Sequence, residues 1–194
     1  MNAHNRDGND GPWSTFDIHV GTPPQKSRVL VSTTIGETWV ISDNKTQGGC
    51  RQSDSSQCPQ SRGGLFNINA STTWHDKGIF ALGAETNLPD YIGPYDNGNY
   101  GLESLGIGLP NAGGLTLKNQ VVAGLATKDF YLGNLGVTSR PTIFTGFNNP
   151  QTSFLSSLKE QNRIPSLSFG YTAGNQYRTF HMHHVSVRLR LTSA

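Results

Sequence analysis

Apolar and polar positions alternate over short stretches of this chain, and the alternation is broken at close intervals by glycine and proline. Phe16, Ile18 and Val20 alternate with Thr15, Asp17 and His19, which is the two-residue period of a strand buried on one face. Gly21-Thr22-Pro23-Pro24 then supplies a turn, and Val29 and Val31 restore the period on the far side, so residues 15–32 predict a half-buried hairpin. A further strand is expected over Thr38–Ser42, followed by a polar loop holding both cysteines and a short Leu65-Phe66-Asn67-Ile68 segment.

Asn87 to Tyr100 is dense in Gly, Pro, Asn, Asp and Tyr and reads as an exposed, turn-rich excursion outside the core. Leu115 and Leu117 alternate again before Val121-Val122-Ala123-Gly124-Leu125-Ala126, a run apolar enough to be buried on both faces. After Pro150, Phe154, Leu155 and Leu158 make one helical stripe, with Lys159, Glu160 and Gln161 on the water side. Val185, Val187, Leu189 and Leu191 alternate with Ser186, Arg188, Arg190 and Thr192, a candidate terminal strand. The fold class expected is all-β, or β-rich with one or two short helices.

The composition narrows the function classes. A chain of 194 residues can bury one sizeable core. With 23 Gly, 10 Pro and only 14% charged residues, it favours short strands over long helices. The net charge of +2 comes from scattered Lys and Arg, so no basic stripe fits a phosphate backbone and nucleic-acid binding is not expected. No apolar run approaches the roughly 20 residues of a membrane helix, and Met1 to Pro12 is a polar lead-in without the apolar centre of a signal peptide.

Cys50 and Cys58 lie in a Gly/Ser/Gln-rich loop. Closing that ring would contribute about 2.5 kcal/mol, while a two-Cys zinc site and a pair of free thiols are the competing readings. Asn44-Lys45-Thr46 and Asn69-Ala70-Ser71 are glycosylation sequons, meaningful only in a secreted chain. His181 and His183 would share one face of a strand, but two ligands do not make a zinc site, so no metal is expected.

Several pieces resemble the pepsin-like aspartic endopeptidases, especially secreted fungal ones. Phe16 to Gln25, with Gly21-Thr22-Pro23-Pro24-Gln25, resembles their first hairpin, and Ile164 to Gly174 resembles a later segment. The resemblance runs from Trp13 to Arg178, leaving residues 1–12 as lead-in and 179–194 as an unmatched tail. It implies one lobe, the N-terminal one, of a bilobal β fold with a substrate cleft between lobes. The implied reaction is peptide-bond hydrolysis without a cofactor, the implied partner a peptide or protein, and the implied location extracellular.

The resemblance also locates the departures. Ser32 stands where the family carries the aspartate of its Asp-Thr-Gly motif, with Thr33 on the motif's threonine, Thr34 on its glycine and Ile35 on its next hydroxyl residue. In the family two carboxylates share a proton and activate a water, because like charges so close cannot both ionise. A serine hydroxyl cannot take that proton. No second Asp-Thr-Gly or Asp-Ser-Gly follows in these 194 residues, so the expectation is an inactive lobe.

The resemblance makes Thr33, Trp39, Tyr95 and Gly98 the candidate substrate-binding residues: Tyr95-Asp96-Asn97-Gly98 on the tip of the flap and Trp39 as its packing partner. Leu132-Gly133-Asn134-Leu135-Gly136-Val137 resembles the strand beneath the site, with Asn134 in an apolar place where it needs a hydrogen-bond partner. A lobe that normally packs on a second one would self-associate through the exposed inter-lobe face.

Overall fold

A computed structural model describes residues 15–43, 49–50, 54–81, 97–108, 114–126, 130–141 and 150–170. Its strands are β1 (Phe16–Val20), β2 (Gln25–Ser32), β3 (Trp39–Ile41), β4 (His75–Ala81), β5 (Asn97–Ile107), β6 (Leu115–Leu125) and β7 (Gly133–Gly136). Two short helices are α1 (Cys58–Ser61) and α2 (Phe154–Glu160), and a 3-10 turn covers Ile68–Ala70. The β-rich expectation holds.

The strands form one sheet in the order β1-β2-β7-β3-β6-β5-β4, and β1 also pairs with β5. That extra pairing closes a ring and leaves β4 outside it. Among the described residues, closure pairs both edges of every strand in the ring and leaves β4 with one open edge. β1 and β2 form the expected hairpin, with Phe16 opposite Val29 and Val20 opposite Gln25. Phe16, Ile18 and Val20 point inward and are buried.

Ile18, Val20, Val29, Val40, Leu105 and Leu117 fill the main core with Val122 and Leu135. α2 covers this core with Phe154, Leu155 and Leu158, and its Ser153 side chain caps the helix by accepting from Ser156 N at 3.2 Å. Trp39, Tyr100, Val121, Ala123 and Leu125 form a second cluster. Residues 121–125 are therefore buried on both faces, as their composition predicts.

Tyr100 departs from expectation. The composition around it predicts an exposed excursion, yet it lies in β5, fully buried, with its ring edge-on to Phe80 at 5.8 Å. A tyrosine among turn-forming residues carries no local mark of a buried strand, and its place comes from pairing with Ala123 and Gly78 on the two sides. The β3 strand is shorter than Thr38–Ser42, although Ser42 still bridges to Phe66. The candidate strand over residues 185–191 lies outside the described residues.

His19 faces out of the barrel between Lys26 on β2 and Gly106 on β5. Burial lowers its pKa from the ordinary 6.5; the charge of Asp17 and a backbone hydrogen bond with Gly108 oppose that and Lys26 adds to it. A lowered folded pKa means that the unfolded chain binds the extra proton more readily. Stability from this group is thus present above 6.5 and declines as the pH falls towards the folded value. The thermal midpoint is expected to drop more on acidification in the wild type than in His19→Gln. Parallel midpoint-versus-pH curves for the two proteins would contradict this.

Candidate functional site

The site is built where β7 slots between β2 and β3. β2 runs parallel to β7, with Val29 opposite Gly133 and Ser32 opposite Gly136, and β3 meets β7 antiparallel at Trp39 and Asn134. Because β2 and β3 are consecutive in the chain, residues 33–38 must arch over the end of β7. Gly136 makes this possible: a Cβ there would come within 2.6 Å of Ile35 O and closer still to Gly36 O. At the other end of β7, a Cβ on Gly133 would lie 2.6 Å from Trp39 O.

Ser32 ends β2, half-buried, and its hydroxyl is spent on the arch. Its Oγ accepts from Ile35 N at 3.0 Å and from Thr34 N at 3.3 Å, and lies 3.2 Å from Thr34 Oγ1. This is the local side-chain-to-backbone bonding that serine favours in turns. Among the described residues no titratable side chain hydrogen-bonds Ser32, so none of them is in place to draw its proton. Thr33 and Thr34 are exposed beside it.

The arch is held from below by polar contacts to the backbone. Asn134 Nδ2 donates to Glu37 O at 2.9 Å, Gly136 N donates to Thr38 Oγ1 at 3.3 Å, and Val137 N donates to Ser32 O at 2.9 Å. The partner that Asn134 requires is therefore a main-chain carbonyl of the arch. Glu37 is itself buried, and Tyr100 donates its O–H to Glu37 Oε2 at 3.2 Å. Sequence reasoning missed Glu37. The available signal was a lone charge between Arg28 and Asp43 in an otherwise uncharged run, because a buried carboxyl persists only with a donor to meet it.

Trp39 is 3% exposed and packs its ring against Phe130 at 5.3 Å. Its indole nitrogen has no hydrogen-bond partner among the described residues. Tyr95, its expected partner, and Asp96 lie outside the described residues. Gly98 lies inside β5, buried, opposite Leu125 and Phe80.

A second polar arrangement adjoins this wall. Cys50 and Cys58 are joined in a disulfide, which settles the alternatives left by the sequence. At the end of α1, Arg62 is buried and its guanidinium donates to Tyr131 O at 3.3 Å and to Gly49 O and Phe130 O. Burial pushes the Arg62 pKa down, and the nearby Asp54 charge works against that shift. Arg62 ties the cysteine loop to the segment leading into β7. A groove of about 430 Å3 opens beside the disulfide, lined by Asp54, Gln57, Arg62 and Tyr131 among others and not by Ser32.

Asn69 is exposed on the 3-10 turn, and the Ser71 of its sequon donates to buried Glu103 Oε2 at 2.6 Å. Asn44, His181 and His183 lie outside the described residues. Among the described residues no three His, Cys, Asp or Glu side chains cluster as metal ligands, and no helix is long and apolar enough to cross a membrane.

The sequence model of the eukaryotic aspartyl protease family matches residues 15–86. The chain is also 26% identical over 157 residues to Secreted aspartic protease 7 of Candida albicans, an alignment covering 80% of this chain and 24% of that protein. This chain thus corresponds to about a quarter of the relative's length. The chain is thus similar to the eukaryotic aspartyl proteases in sequence, and its closed, β-rich sheet is consistent with the form of a single pepsin-like lobe.

Proposed function

We propose that this chain is an aspartic-endopeptidase lobe that does not hydrolyse peptide bonds as written, and that its half-cleft holds an extended peptide. The observation that carries this reading is the engagement of Ser32 Oγ as an acceptor for Ile35 N and Thr34 N. At the place where the family resemblance puts a water-activating carboxylate, this side chain closes a turn. Peptide binding needs less than catalysis. An extended chain can be held by main-chain hydrogen bonds, with side-chain pockets such as the Trp39 wall adding selectivity.

A second reading is favoured by the alignment covering only 24% of a protein named a secreted protease: the lobe works against a second lobe, or a second copy, across the Ser32 end of the barrel. The disulfide and the exposed Asn69 agree with an extracellular setting. Titration with labelled pepstatin, competed by a casein digest, tests the main reading. Saturable binding with no new fragments by mass spectrometry is expected. A folded protein that binds neither ligand would overturn it, and light scattering in the same samples separates a monomer from a self-associated form.

A further inference from the structure

Arg62 and the disulfide grip the same short segment. Cys50 is bonded to Cys58 at the start of α1, and one turn later Arg62 reaches back to Gly49 O, the carbonyl just before Cys50. The same guanidinium holds Phe130 O and Tyr131 O, just before β7. Phe130 in turn lies against Trp39, which opens β3 and pairs with Asn134 beneath the arch. An arginine fork can hold several carbonyls in one fixed plane, which a flexible ammonium cannot reproduce. Its loss would take this donor from the buried Gly49 carbonyl and from the part-buried carbonyls of Phe130 and Tyr131.

We propose that Arg62 is a positioning residue that couples the Cys50–Cys58 crosslink to the Trp39 wall of the candidate site through Phe130. The crosslink fixes Gly49, Gly49 and Arg62 fix the 130–131 segment, and that segment seats Phe130 on Trp39. The consequence for peptide binding rests on the function proposed above, whereas the coupling itself does not. Reduction by a dithiol delivers two electrons and two protons to the crosslink, giving the Cys50 and Cys58 thiols and the cyclic disulfide of the reagent. That step loosens one end of the clamp without altering any residue at the site.

The test uses the full chain labelled with 5-fluorotryptophan, its three tryptophan signals assigned by single Trp→Phe changes. Trp74, partly buried and packed against the main core through Phe66 at 5.8 Å, reports global folding. Arg62→Met, and separately reduction of the wild type, are each expected to shift and broaden the Trp39 resonance while Trp74 stays in place. Arg62→Lys should fall between Arg62→Met and wild type, and reducing Arg62→Met should add little, since both act on one path. A Trp39 signal unmoved by reduction and by Arg62→Lys would overturn the proposal, as would Trp39 and Trp74 moving together. If Arg62→Met does not fold, the reduced wild type and Arg62→Lys decide. Pepstatin affinity should fall in step with the Trp39 shift. If wild type binds no pepstatin, the functional reading fails while the tryptophan signals still decide the coupling.

Discussion

Incubated with denatured protein across the acidic range, this chain is expected to release no peptides, and Ser32→Asp is expected to leave it inert. Hydrolysis of the family type needs two carboxyl groups sharing a proton, one to activate water and one to protonate the leaving group. A positioned acid or base contributes about 10²–10⁴-fold to such a step, and the Ser32 hydroxyl, already accepting from Ile35 N and Thr34 N, supplies neither role. Ser32→Asp would introduce one carboxyl group, and these residues contain no second Asp-Thr-Gly or Asp-Ser-Gly to pair with it. A fluorogenic peptide assay on purified protein reads the result. Pepstatin-sensitive turnover by the wild type would sink the assignment of inactivity. Turnover by Ser32→Asp alone would show that a partner carboxylate comes from a second copy.

Gly136→Ala is expected to destabilise the lobe by about 3 kcal/mol, the upper part of the range for overpacking a rigid site. The atoms a new Cβ would strike are main-chain atoms of Ile35 and Gly36, which no rotamer change can clear. The arch would have to lift, costing the Gly136 N to Thr38 Oγ1 and Asn134 Nδ2 to Glu37 O bonds along with it. Against a total stability of about 5–15 kcal/mol for a domain, that is enough to threaten folding. Gly170→Ala is the control, since no atom of the described residues lies within 4 Å of a Cβ there; it should stay within about 0.5 kcal/mol of wild type. Urea unfolding of both variants measures this. A Gly136→Ala protein as stable as the control would mean that residues 33–38 do not rest on β7.

Much of the lobe was legible along the chain because the signals are local. The alternation at Phe16, Ile18 and Val20 marked β1, the unbroken apolar run at 121–125 marked the doubly buried part of β6, and the stripe of Phe154, Leu155 and Leu158 marked α2. Ser32 stood out through the family resemblance, which sets it in the place of the Asp-Thr-Gly aspartate between the Gly21-Thr22-Pro23-Pro24 turn and Trp39. Each of these depends on residues within a few positions of one another, where side-chain period reports directly which face is buried.

What only the tertiary structure decided are the partners. Asn134 meets Glu37, its neighbour across 97 positions, and Tyr100 meets Glu37 across 63. Arg62 grips Phe130 and Tyr131 across 68 and 69. No period along the chain encodes such pairs, because they arise when β7 enters between two consecutive strands and the barrel closes through β1 and β5. A polar residue in an apolar run announces that it needs a partner. Which partner it finds is set by the closure of the sheet, so the sequence by itself determined the elements and the serine, and the fold decided what holds that serine's turn in place.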